Sequence, residues 1–305
     1  MRIRATVAAL SGALVLSALA VPAATAADGG PAKRDVVRAA LKAADGRTTY
    51  TGSADTGTPY QLNATFSNVK VNNGKPIVAG PTGHVVAPVT YKVTHSADVD
   101  LRARDTLVDV TLYRGSYSNP VNFLEGDNWP VCTAVSATVD TCKGTIDVRP
   151  AEDLYNADAT TWKASGYVVD WNDVDPYADD IDWSKVGVAE FDNLGPVKLQ
   201  RRSALTVNAS PEPVKKGRTI TVTGKLSRAN WETGKYAGYA TQSVKLQFRK
   251  KGSSTYTTVK TIKTSSTGTL KTTVKATADG YFRYSFAGTS TTPAVSAAGD
   301  FVDVR

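Results

Sequence analysis

From Tyr60 to the C-terminus the chain never sustains a helical period for long. β-branched and aromatic residues alternate with polar ones over short runs, and clusters of Gly, Asn, Asp and Pro punctuate them. A period of two sends successive side chains to opposite faces, so each run reads as a strand with one buried side. With no long helices between the runs, the sheets pair antiparallel and pack face to face as a sandwich. An α/β sheet with helical crossovers is excluded on the same ground.

In the first half the spacing predicts strands over Leu62–Val71, Val85–Thr94, Leu107–Tyr113, Val131–Val135, Gly144–Val148, Gly166–Trp171, Val186–Phe191 and Val197–Arg201. Asn72-Asn73-Gly74 marks a tight turn before Pro76-Ile77-Val78, and a brief helical turn falls at Glu152–Ala159. The second half is cleaner: Leu205–Ala209, Thr219–Leu226, Val244–Arg249, Tyr256–Thr261, Leu270–Ala276, Tyr281–Ala287 and Phe301–Val304. Seven strands joined by Gly-containing turns is the count of an immunoglobulin-type sandwich.

Ahead of these strands, Arg2 and Arg4 precede an uncharged apolar run, Val7–Val21, and the small residues Ala24-Thr25-Ala26. That order is the signature of a cleaved secretory signal, and the run is too short to span a bilayer. Pro31–Ala44 follows with Val36, Val37, Ala40, Leu41 and Ala44 on one helical face, Pro31 in the first turn and Gly46 as the stop. The expected organisation is a signal peptide over 1–26, a short helix and linker over 27–59, and two tandem Ig-like antiparallel β-sandwiches over 60–202 and 203–305. The class is all-β.

Charge divides at the same boundary. Residues 27–202 carry 18 Lys and Arg against 23 Asp and Glu, a net of −5, whereas 203–305 carry 16 against 5, a net of +11. Lys245, Arg249, Lys250, Lys251, Lys260, Lys263, Lys271 and Lys275 alternate with Thr and β-branched residues, which predicts a cationic sheet surface. Anionic cell-envelope polymers suit such a surface; export and the preference for Lys over Arg argue against nucleic acid. Protection of exposed strand edges is the bland alternative.

Cys132 and Cys142 are the only cysteines, and in an oxidising compartment a close pair is expected to form a disulfide across a hairpin or loop. The segment Asp170–Asp182 concentrates Asp170, Asn172, Asp173, Asp175, Asp179, Asp180 and Asp182. Short oxygen-bearing side chains on one loop suit Ca²⁺, although no start position satisfies the EF-hand spacing. A Ca²⁺ site and a solvated acidic loop both stay open.

Histidine is scarce: His84 and His95 read as exposed structural residues, and a zinc site built on them would need two or more His or Cys ligands at close spacing, with both cysteines unpaired. There is no G-x-S-x-G elbow, phosphate loop or dinucleotide fingerprint. Glu125, Asp127, Glu190 and Asp192 offer carboxylates for glycoside hydrolysis, but with so many acids present the pairing says little. Of the five tryptophans, Trp129, Trp162, Trp171 and Trp183 read mainly as packing residues, and Trp231 as the best candidate for an exposed sugar-stacking ring.

Ala204-Leu205-Thr206-Val207-Asn208-Ala209-Ser210-Pro211-Glu212-Pro213-Val214-Lys215-Lys216-Gly217, then Thr221-Val222-Thr223-Gly224-Lys225-Leu226 and Gly299-Asp300-Phe301-Val302-Asp303-Val304, resemble the Ig-like modules of secreted actinobacterial proteins. That resemblance covers the last third of the chain and implies an extracellular β-sandwich; some members of the group carry a calcium-binding label. The expected function is therefore a secreted, monomeric, non-catalytic binding or structural protein, with calcium binding or wall adhesion as its two forms and a polysaccharide-active enzyme as a third alternative.

Overall fold

The computed structural model describes residues 30–45 and 57–305, so the expected signal peptide and most of the connector lie outside it. The first half comprises α1 (Gly30–Ala44), β1 (Tyr60–Gln61), β2 (Ala64–Val71), β3 (Ile77–Ala79), β4 (Val85–His95), β5 (Thr106–Gly115), β6 (Pro120–Leu124), β7 (Val131–Ser136), β8 (Val139–Val148), α2 (Pro150–Asp153), β9 (Thr161–Asp170) and β10 (Gly187–Arg201). One sheet runs β1-β10-β9-β5-β6 with β3 also on β10, and the other β2-β4-β8-β7. Two short strands, β1 and β3, pair with β10 in parallel, a departure from the all-antiparallel expectation. Alternate residues of β4, Ala87, Val89, Tyr91 and Val93, point inward and meet Val110 and Leu112 of β5 and Trp162 and Val168 of β9.

Both faces of β5 and β9 are buried, because α1 covers their outer side. Val37, Ala40 and Ala43 of the helix pack with Tyr167, Val169, Trp171, Trp183 and Val188. The buried stripe is rotated from the expected one: Ala44 is exposed, and Arg34 lies on the covered side. Its guanidinium is 3.1 Å from both Asp109 Oδ2 and Glu125 Oε2, donates to the Gly126 carbonyl oxygen and lies 4.7 Å from the Trp129 ring centroid. A charge on this face is tolerated because it is fully paired.

Cys132 and Cys142 form the expected disulfide, facing each other across the β7–β8 pair. β7 is an edge strand exposed along nearly its whole length, so it has little burial to hold it. Loop-closure entropy from the crosslink contributes about 2–3 kcal/mol.

The second half comprises β11 (Ser203–Leu205), β12 (Asn208–Ser210), β13 (Thr219–Asn230), β14 (Lys235–Gly238), β15 (Ser243–Lys250), β16 (Thr257–Lys263), β17 (Thr269–Lys275), β18 (Gly280–Phe286), β19 (Val295–Ser296) and β20 (Asp300–Val302). β13 pairs with β11, β12, β14 and β17 in one sheet; the other runs β16-β15-β18 with β19 and β20 on β18. Ile220, Val222, Leu226 and Leu270 of the first meet Val244, Leu246, Phe282 and Tyr284 of the second, an Ig-like arrangement of two packed sheets. Tyr284 donates its phenol to the Val222 carbonyl oxygen at 2.9 Å, giving the one polar atom it carries into the core a partner.

A single residue, Arg202, separates β10 from β11. Around it Arg201 N–H donates to Thr291 O at 3.0 Å, Arg201 Nε to Ala229 O at 2.5 Å, and Arg202 N–H to Ala79 O at 2.8 Å. Trp231, expected as an exposed ring, is 1% exposed and belongs to the core of the first half. The correction has a simple cause: the β13–β14 hairpin reaches across the junction, so a ring that leaves one core enters the other.

Candidate functional site

The open face of the β16-β15-β18-β20 sheet carries a cluster of cations and rings. Val244 and Leu246 of β15 and Phe282, Tyr284 and Phe286 of β18 point into the core, so the alternate positions Lys245, Gln247 and Arg249, and Tyr281, Arg283 and Ser285, point out. Register sets them side by side: Lys245 opposite Ser285, Gln247 opposite Arg283, Arg249 opposite Tyr281, and Tyr281 opposite Phe301. The Arg249 guanidinium lies 4.2 Å from the Tyr281 ring centroid and 5.3 Å from that of Tyr256, which precedes β16. Arg283 lies 3.7 Å from the Tyr256 ring and donates from Nε to Gln247 Oε1 at 2.9 Å. Tyr281 and Phe301 are 5.1 Å apart, with Lys251 Nζ 5.5 Å from the Phe301 ring.

Both guanidiniums sit over tyrosine rings and are half-buried, while the sheet face remains open. A planar cation fixed in this way has lost much of its rotamer freedom before any ligand arrives. Arg249 also donates to the Ser253 carbonyl oxygen at 2.6 Å, and Lys251 lies 3.6 Å from Asp279. The anchoring partners are mostly neutral.

The basic residues expected on one surface are in fact divided. Lys245 shares this face, whereas Lys271 and Lys275 lie on β17, paired with Thr223 and Thr219 of the opposite sheet. Strand parity says which residues of one strand point together; it does not say which sheet the strand joins.

The acidic segment after β9 is spread along its own backbone. Asp170 is 7% exposed, accepts from Thr106 Oγ1 and Asn172 N–H, and is raised by burial and then by the neighbouring Asp105. Asn172 donates to Tyr60 Oη at 2.7 Å and Lys185 O at 3.0 Å. Asp173 N–H donates to Asp105 Oδ2, and Tyr177 N–H to Asp175 Oδ1. Asp182 accepts from Ser184 N–H and Oγ, bonds that hold its carboxyl below the usual range. Asp175 and Asp182 are thus engaged locally, and Asp179 and Asp180 follow in a bend of the same loop. Among the described residues, three His, Cys, Asp or Glu ligand atoms within 4.8 Å of one another occur at His84, Asp127 and Asp147, not in this segment.

The carboxylates considered for hydrolysis each have a different partner. Glu125 is shared by Arg34 and Arg38, Asp127 is clamped by Arg149, and Glu190 accepts from the Tyr117 phenol; Asp192 offers its backbone carbonyl to Tyr113. Glu190 and Tyr117 border a cleft of about 520 Å³ with Asp192 and Leu194. His95, read as exposed, is 6% exposed and held between Asp140 Oδ2 at 2.8 Å and the Ser96 carbonyl oxygen at 2.8 Å.

The chain matches no protein-family model and no curated protein. Among solved structures it is similar to the Yersinia pseudotuberculosis adhesin InvE, at 13% identity over 79% of this chain and 60% of that one, with a TM-score of 0.24. It is also similar to the D00-D0 domain of intimin, at 12% identity over 77% of this chain and 98% of that one, TM-score 0.26. A third is the BSP domain of a biofilm-associated protein, at 10% identity over 89% and 55%, TM-score 0.24. The chain spans about three-fifths of the InvE chain it matches. Overlaps of this size do not define a common arrangement of the whole chain.

The sequence places Tyr256, Tyr281, Arg283 and Phe301 in strands but gives none of them a binding role. The available signal was parity: Tyr281 and Arg283 alternate with the apolar Phe282 and Tyr284, and so share the open face.

Proposed function

We propose that this chain is a non-catalytic extracellular binding protein, and that the face formed by Arg249, Tyr256, Tyr281 and Arg283 holds an anionic, sugar-containing polymer of a cell envelope. The observation that carries the reading is the pair of guanidiniums stacked on tyrosine rings across an open sheet face. Guanidinium forks suit phosphate and carboxylate groups, and ring faces suit the apolar face of a sugar. The net +11 of residues 203–305 adds long-range attraction for a polyanion. A disulfide on an edge strand fits an oxidising, extracellular setting.

The test uses the whole chain on an immobilised sugar-phosphate polymer, with a neutral glucan as the control surface. Binding is expected to fall with salt and to drop about tenfold or more, equivalent to about 1.4 kcal/mol, in an R249A/R283A variant. K271A/K275A, on the opposite sheet, is expected to bind as the parent does. Equal retention on the neutral glucan, or equal losses in the two double variants, would overturn the assignment.

A further inference from the structure

We propose that His84, Asp127 and Asp147 form a binding site for a first-row divalent transition-metal ion of the Zn²⁺ type. Their ligand atoms lie within 4.8 Å of one another, close enough for small side-chain rotations to bring all three onto one ion about 2.1 Å from each. They come from three separate segments: His84 from the turn before β4, Asp127 from the loop after β6, and Asp147 from β8.

Asp147 is the fixed member. It is 6% exposed; its Oδ2 accepts from Thr145 Oγ1 at 2.7 Å and from Asp127 N–H at 2.9 Å, which leaves Oδ1 aimed at His84 Nε2, 2.6 Å away. A carboxylate oriented in this way by outer partners is the arrangement that metal ligands require. The loop bearing Asp127 is equally constrained. Asp147 N–H donates to Glu125 O at 2.9 Å, a Cβ at Gly126 would collide with the Thr145 carbonyl oxygen, and Arg34 donates to the Gly126 carbonyl oxygen.

His84 is on a turn at the surface and Asp127 is exposed, so the ion has an entry path. Arg149 holds both oxygens of Asp127. On metal binding it keeps one and yields the other, becoming an outer-shell partner. Two carboxylates against one guanidinium give the site negative charge, which favours a divalent cation. One imidazole nitrogen with carboxylate oxygens selects Zn²⁺ or Mn²⁺ over Ca²⁺, which prefers an all-oxygen shell. Sequence spacing could not show this set: His84 and Asp147 are 63 residues apart.

The site is separate from the stacked arginine face, so it is tested without a polymer. The chelator-treated chain is titrated with Zn²⁺ by calorimetry, alongside H84Q, D127N and T145V. One equivalent is expected to bind, with affinity reduced about tenfold or more in H84Q and D127N, and about tenfold in T145V through loss of the bond that orients Asp147. Because the chain has two histidines, Mn²⁺ provides a positional readout: the ring resonances of His84 should broaden while those of His95 stay sharp. No Zn²⁺ binding by the parent, unchanged affinity in H84Q, or equal broadening of both histidines would overturn the site.

Discussion

Trp231, on the β13–β14 hairpin, donates its indole N–H to the carbonyl oxygen of Gly80 at 2.8 Å, across 151 residues of sequence. Asn156 reinforces the contact, accepting from Trp231 N–H at 3.1 Å and donating to Asn230 Oδ1 at 2.9 Å and Glu232 Oε2 at 2.7 Å. One side chain therefore ties the two halves by both burial and a hydrogen bond.

Replacing Trp231 with Ala is expected to cost about 3–5 kcal/mol. Trp231→Phe keeps most of the apolar volume but orphans the Gly80 carbonyl oxygen, at a cost of about 1–3 kcal/mol. Denaturant unfolding of the two variants checks both values. If the residue couples the halves as the geometry indicates, Trp231→Ala also splits a single transition into two.

The buried Arg34–Asp109 pair makes the helix contact sensitive to pH. Desolvation pushes Asp109 up to about 7, opposed by the charge and hydrogen bond of Arg34. The folded value thus exceeds the unfolded value of about 3.9, so the folded state binds more protons between the two. The stability this carboxyl contributes is fully present below about pH 3.9 and is lost as pH rises through about 7. Unfolding midpoints measured from pH 5 to 8 should fall with rising pH relative to D109N, whose profile should lack this component. Arg34→Met leaves the carboxyl without its counter-charge and is expected to cost about 3–5 kcal/mol. Parallel profiles for the parent and D109N would remove the carboxyl as the source.

Calcium is tested by melting the chain in millimolar Ca²⁺ and in chelator, the range in which extracellular calcium modules bind. The segment Asp170–Asp182 brings no three carboxylates within 4.8 Å, and several of its oxygens accept from local N–H groups. Superimposable curves are the expected outcome. A rise in midpoint with Ca²⁺ that D173N/D175N abolishes would show that the segment rearranges around the ion.

Alternation in β4, β15 and β18 was enough to read sheets with one buried face, and the cysteine spacing was enough to read the hairpin staple. β6 and β14 were missed for a shared reason. Pro120–Leu124 and Lys235–Gly238 are only five and four residues long, too short to show a period, so they are strands by pairing with β5 and β13 more than by pattern. Trp231 and His95 were misplaced because their burial comes from distant partners, Gly80 and Asp140, which local sequence does not announce. Arg34 was overlooked because a charged residue reads as solvent-facing unless its counter-ions are known, and Asp109 and Glu125 are 75 and 91 residues away.

With Arg202 alone between β10 and β11, and its neighbours bonded to both sides, the junction leaves no slack for a hinge. Tension applied along the chain would load β10 lengthwise against its neighbours, in shear across many bonds at once. A junction built in this way lets strain in one sandwich reach the other through the backbone itself rather than through a slack linker.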